Sequence, residues 1–278
     1  MEMLYAWLVE PLEYDFMLRA FASIILIGAG TAMLGCYVVL RKSVFITSAL
    51  SHTILPGVVG AALLGVSLYL GAFVAALITA LGVGLLSSRQ KMSEDSAIGV
   101  LLAFMFALGI LLMTLTQSFR DFASLLFGSV LGVSGADLGV AAGTCLAVLL
   151  FFAFFRVPLK LASCDPEYAQ LAGARPQLMQ VLFLSFVALA SVASVRIIGA
   201  LLTTALLVIP AASAQLLTRS VGRMMAVAVA VAISIVTGIA GLYASYYVDG
   251  LPAGASIVVA ESLVFFAAWV LKICRSRF

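Results

Sequence analysis

The chain has 278 residues, 64% of them apolar and only 10% charged, with a formal net charge of +3 and a mean hydropathy of +1.24. Soluble domains run at roughly 45–50% apolar and about 25% charged, so most of this surface faces something other than water. That excludes a disordered chain, a secreted disulfide scaffold and a nucleic-acid binder, and the continuous apolar runs, lacking strand-like alternation, exclude a β-barrel.

A helix needs about 20 predominantly apolar residues to cross a bilayer. In chain order such runs cover 17–40, 43–65, 68–88, 96–116, 136–155, 178–195, 197–218, 224–244 and 254–271. They predict an all-α, polytopic membrane bundle of eight or nine transmembrane helices. The stretch 119–132, FRDFASLLFGSVLG, is a candidate re-entrant or surface helix. Residues 1–15 carry Glu2, Glu10, Glu13 and Asp15 and no basic residue, the wrong polarity for a cleavable signal peptide. With no repeat, no low-complexity tract and no long hydrophilic stretch, 1–278 reads as one membrane domain.

Cytoplasmic loops of membrane proteins collect Lys and Arg. Arg41 and Lys42, Arg89 and Lys91, Arg156, Lys160 and Arg175, Arg219 and Arg223, then Lys272, Arg275 and Arg277 all fall on one side of the predicted topology, twelve of the 15 basic residues. The C-terminus is therefore expected in the cytoplasm of a cell, or inner, membrane and, with nine spans, the N-terminus outside. The outer loops hold acids, among them Asp121, Asp137 and Asp249, that either attract cations or only solvate loops. Pairs of small residues a helical turn apart, Gly128 with Gly132 and Gly139 with Gly143, are candidate points of close helix packing. The cysteines, Cys36, Cys145, Cys164 and Cys274, have no C-x-x-C spacing and read as packing thiols.

His52, the one histidine, lies 11 residues beyond Arg41, about 16 Å up a helix at 1.5 Å per residue. An ionisable group at that depth is a functional candidate, set against a histidine that merely hydrogen-bonds a neighbouring helix. Ser48 lies one turn earlier on the same face, and Pro56 one turn later, where it frees a carbonyl and kinks the helix. Glu261 lies 11 residues before Lys272, at nearly the same depth, and every other acid falls in a loop or at a span end. Imidazole with carboxylate suits zinc and, with more oxygen ligands, manganese; the alternative for Glu261 is a protonated helix-to-helix hydrogen bond. In the longest cytoplasmic stretch, 156–177, Asp165 reads as N-cap, Pro166 as first helical residue, Glu167 as first-turn acid and Gly173 as terminator of a short docking helix. No Gly-Lys dipeptide occurs, so the chain carries no P-loop of its own.

Six segments in order, GCYVVLRKSVFITSALSHTILPG (35–57), SEDSAIGVLLAFMFALGILL (93–112), LLFGSVLGVS (125–134), DPEYAQLAG (165–173), IIGALLTTALLVIPAASAQLL (197–217) and LPAGASIVVAESLVFF (251–266), resemble the membrane permeases of ATP-binding-cassette importers for manganese, zinc and iron. The resemblance implies a permease working as a dimer with a second permease copy, over a cytoplasmic ATP-binding subunit, with an extracytoplasmic metal-binding protein docking outside. It makes DPEYAQLAG, within about 163–177, the ATPase-coupling helix, and it implies zinc or manganese as transported ion with no permanently bound cofactor. The family usually has an aspartate where this chain has Ser48, and a small or neutral residue where it has Glu261. Glu261 is therefore expected to supply, with His52, the missing carboxylate. Two other classes are a secondary transporter using His52 and Glu261 as a proton relay, and an intramembrane hydrolase built on Ser51 and His52. The last is disfavoured because adjacent helical residues diverge by about 100° and no third orienting group is present.

Overall fold

The computed structural model describes residues 10–89, 92–116, 130–164, 166–171, 173, 175–218, 223–248 and 250–276. These are helical almost throughout, with no strand among them. In chain order the helices are α1 (Asp15–Leu40), α2 (Phe45–Thr53), α3 (Leu55–Leu64), α4 (Leu68–Arg89), α5 (Glu94–Thr116), α6 (Gly135–Cys164), α7 (Pro166–Leu171), α8 (Pro176–Ile198), α9 (Ala200–Leu217), α10 (Arg223–Tyr247) and α11 (Ala253–Ser276). Counting α2 and α3 together, 9 helices among the described residues are long and apolar enough to cross a membrane, as the hydropathy pattern predicts. Backbone amides and carbonyls have no water to bond with in lipid, and the helix satisfies them within one segment. Only residues 130–132 of the candidate helix 119–132 are described, and they form a 3-10 turn.

The contacts divide the chain into two compact units. The first comprises residues up to Cys36, Leu125–Cys145 and Ser194–Phe278. Its core joins Met17, Phe21 and Ile24 of α1, Ile198 of α8, Leu202 and Leu206 of α9, Leu242 of α10 and Ile257 of α11, all buried. The second comprises Tyr37–Ser124 and Leu146–Ala193, and here α3, α4 and α5 pack on one another. On α5 a stripe at helical spacing, Val100, Phe104, Leu108, Leu111 and Leu115, stays exposed. In a soluble protein such a stripe marks an interaction surface; on a helix long and apolar enough to cross a membrane it is compatible with lipid.

Helices approach most closely where glycine removes the side chain. A Cβ placed on Gly57 of α3 would strike the carbonyl of Gly71 in α4, and one on Gly71 would strike the carbonyl of Gly57. In the first unit Gly35 of α1 faces the Leu207 carbonyl of α9 in the same way. The sequence pointed elsewhere. Among the described residues nothing stands within 4 Å of a Cβ built on Gly139 or Gly143, so that pair makes no close helix crossing within them; Gly128 lies outside the described residues. Asp137 also has a local use: with Ser134 it forms a reciprocal cap at the start of α6, Ser134 Oγ donating to Asp137 Oδ2 at 2.7 Å and the Asp137 amide to Ser134 Oγ at 3.2 Å. Its other oxygen lies 3.7 Å from Arg196. Cys36 and Cys145 are buried free thiols, consistent with a packing role.

Gly57→Ala should lower stability by about 1–3 kcal/mol through overpacking, whereas Gly139→Ala should be neutral or slightly stabilising, since it only improves helix propensity. Thermal unfolding of the two detergent-solubilised variants compares them directly.

Candidate functional site

The helix carrying Ser48 and His52 is built to hold a polar face inside an apolar protein. On α2 the residues Ile46, Ala49, Leu50 and Thr53 are buried, while Ser48 and His52, one turn apart, are half-exposed. The other hydroxyls are consumed along the helix: Thr47 Oγ1 donates to the Val44 carbonyl at 2.8 Å, Ser51 Oγ to Thr47 at 3.1 Å and Thr53 Oγ1 to Leu50 at 3.4 Å. Ser51 is therefore a buried structural hydroxyl and is not poised beside His52 as a nucleophile, which removes the hydrolase reading.

The helix stops just beyond His52. Pro56 has no amide to offer the His52 carbonyl, and that carbonyl instead accepts from the Ile54 amide at the C-cap of α2. α3 then restarts at Leu55, with Pro56 in its first turn. The proline break read from the sequence is thus present and falls at Ile54. It places His52 in the last turn of a helix, where the partial negative charge of the helix end favours a cation. Helix α5 buttresses this break. Phe106 presents its ring to the His52 imidazole edge-on, with centroids 6.0 Å apart. One turn later Gly109 leaves room for the Leu55 side chain, which a Cβ there would meet at 2.8 Å.

Glu261 belongs to the other unit, on α11. It is fully buried, and neither carboxylate oxygen has a hydrogen-bond partner. Ser48 and His52 are thus brought together on one helix face, and Glu261 is held in a different helix set. No group of three or more His, Cys, Asp and Glu able to hold a metal ion occurs among the described residues.

On the expected cytoplasmic side, α7 is a helix of 6 residues, Pro166–Leu171, starting at Pro166 as the sequence indicates. Leu171 and Tyr168 are exposed. Gly173 follows at φ 78, a left-handed conformation that glycine adopts without steric cost and that ends a helix. Asp165, the expected N-cap, lies outside the described residues.

Sequence reading passed over Arg41, which served there only as a boundary mark. Its guanidinium carbon sits 5.6 Å above the ring centroid of Phe183, itself fully buried and 6.3 Å from the ring of Tyr37. Its Nη1 is buried without a hydrogen bond, as is Oε1 of Glu94 in the first turn of α5. Burial pulls the Arg41 guanidinium below its ordinary value, and the Glu94 carboxylate opposes that shift. This cation ties the end of α1, and so the start of the Ser48 and His52 helix, to α5 and α8. The signal for it in sequence was a long-range pairing, which no local spacing reveals.

A family model described as the ABC 3 transport family matches residues 13–272. The chain belongs to that family. It is 38% identical over 261 residues to a manganese transport system membrane protein, MntC, of Halalkalibacterium halodurans, covering 94% of this chain and 88% of that protein. It is 34% identical over 274 residues to a probable iron transport system membrane protein of Haemophilus influenzae, covering 99% of this chain and 100% of the relative. Among solved structures, PsaBC from Streptococcus pneumoniae in complex with Fab superposes with a TM-score of 0.84 at 27% identity, covering 96% of this chain and 95% of that one. Family membership and the nine apolar helices make the chain a multi-pass protein of the cell membrane.

Arg41→Ala should destabilise the protein by about 1–3 kcal/mol, because it removes the cation stacked on Phe183 and the charge that opposes Glu94, and Arg41→Lys should recover only part of that loss, since an ammonium cannot lie flat on the Phe183 ring. Thermal unfolding of the two variants against the parent measures both.

Proposed function

We propose that this chain is the membrane subunit of an ATP-binding-cassette importer and forms the translocation path for a divalent transition metal. The observation that carries the reading is the half-exposed pair Ser48 and His52 at the end of a broken transmembrane helix, in a chain of this family. Curated relatives named for manganese and for iron support a cargo of that class. Zinc or manganese is the proposed ion, with iron(II) of the same class, and it is carried as substrate. The chain is a transport component; ATP is hydrolysed in a separate cytoplasmic subunit, the metal arrives on an extracytoplasmic binding protein, and two permease copies work together.

In this reading His52 meets the ion directly. A neutral imidazole nitrogen is a good ligand for divalent transition metals, and the helix end adds partial negative charge without a permanent anion. Ser48 offers a neutral oxygen one turn away, weaker than a carboxylate. Weak, sparse coordination suits a path, because an ion held too tightly cannot leave. The chemical work is delivered through α7. An exposed short helix presenting Tyr168 and Leu171, preceded by Asp165 and stopped at Gly173, is a knob that a partner's groove can grip, and Glu167 in its first turn adds a charge.

His52→Ala should abolish ATP-dependent metal uptake while the assembled complex still binds its loaded partner protein; uptake equal to the parent removes His52 from the path. The coupling role has its own test. Glu167→Ala and Gly173→Ala, the second costing about 1–2 kcal/mol of local strain at positive φ, should leave the complex folded but hydrolysing ATP without transport. Parent-like transport by both variants rules α7 out as the coupling element.

A further inference from the structure

We infer that Glu261 is the anchor of a cation station made only of oxygen donors within the α9, α10 and α11 unit, and that it biases the cargo toward manganese(II) or iron(II) over zinc. The inference rests on the importer reading above.

Glu261 is 0% exposed, and both of its carboxylate oxygens lack a partner. An unpaired buried carboxylate costs several kcal/mol, so a compensating positive charge is required when it is ionised. The register of the neighbouring helices shows which residues lie level with it. A Cβ on Gly241 of α10 would lie 2.5 Å from the Ile257 Cα of α11, so the two backbones touch there. The short connection between these helices makes them antiparallel. One turn along α11 from Ile257 is Glu261, and one turn back along α10 from Gly241 is Thr237. The Thr237 hydroxyl donates its proton to the Ile233 carbonyl at 2.7 Å, which leaves its oxygen lone pairs to accept. A turn further along α10 the fully buried Ser234 hydroxyl has no partner, and it lies against α1, 2.7 Å from where a Cβ on Gly28 would stand. On α9, Pro210 removes the amide that would bond the Leu206 carbonyl, and Leu206 shares a buried cluster with Ile257.

Neither α9 nor α10 contains a His, Cys, Asp or Glu. At this level α1 packs on α10 through Ile24 and Gly28, which bring no ligating side chain, so the donors on offer are one carboxylate, hydroxyls and a carbonyl. Such a set suits manganese and other hard cations, whereas zinc favours imidazole and thiolate. One anionic ligand among neutral oxygens binds weakly enough for release, which a transport path requires.

The test titrates the purified full-length chain with manganese(II), following loss of the free-ion EPR signal, and with zinc(II) in competition. Glu261→Gln, isosteric with a protonated glutamic acid, should weaken manganese binding at least about tenfold, equivalent to ~1.4 kcal/mol, and leave zinc binding little changed. Unaltered manganese affinity overturns the inference and makes Glu261 a protonated structural side chain; a parallel loss of both metals overturns the selectivity. If Glu261→Gln does not fold, Glu261→Asp keeps the charge on a shorter arm and should show manganese affinity below the parent with zinc unchanged, any other result overturning the inference. The importer reading fails separately: selective manganese binding with no ATP-dependent uptake by the assembled complex overturns that reading and leaves the station standing.

Discussion

The absence of water between the two leaflets governs every other feature of this molecule. A buried amide or carbonyl without a partner costs on the order of several kcal/mol in hydrocarbon, which is why the described residues are almost entirely helix and why many side-chain hydroxyls bond back to their own helix. Thr31 donates to the Ile27 carbonyl at 2.8 Å, Thr203 to Gly199 at 2.7 Å and Ser213 to Ile209 at 2.8 Å. Against that background the departures from helical bookkeeping stand out. Among the described residues they include the stop at Ile54 next to His52, Pro158 within α6, and Pro210 in the helix packed on α11.

The same scarcity of water makes helix association depend on packing instead of hydrophobic expulsion. Glycine at the crossings lets backbones touch, and at Gly109 it lets Leu55 of the broken segment seat against α5. The half-exposed His52 meets the Phe106 ring of the same helix that Leu55, just past the break, seats against. Arg41 acts one loop earlier, where the chain leaves α1 and a permanent charge is buried against an aromatic ring. The buried cation and the half-exposed polar face are thus separated along a single stretch of some fifteen residues, roughly the length of four helical turns.

Much of the fold was legible because hydropathy is a local quantity. The nine apolar runs match the helices closely, and Pro56 announced its break. The proline and glycine signals around 165–173 likewise gave the start and stop of α7. What stayed hidden depends on which residues meet across space. Gly139 and Gly143 have the spacing of a packing motif yet meet no other helix among the described residues, while Gly57 and Gly71, 14 residues apart and on different helices, form the tightest glycine crossing described in the second unit. Arg41 and Glu94 read as loop charges, since nothing near either announces the other. Glu261 was singled out by its depth alone, and its isolation from hydrogen-bond partners becomes visible only with three helices around it.

The reciprocal crossing of Gly57 and Gly71 has a consequence for how this sequence can change over generations. Where two side chains collide, enlarging one is usually offset by shrinking the other, and the pair drifts together. Here each Cβ would meet the opposite backbone carbonyl, and a backbone cannot be trimmed. No second-site replacement across the crossing compensates a first, because both positions already hold the smallest residue. The only escape is to move the two helices apart, which disturbs α5 behind them. The crossing is therefore an evolutionary dead end in the strict sense, two positions frozen independently of each other instead of covarying.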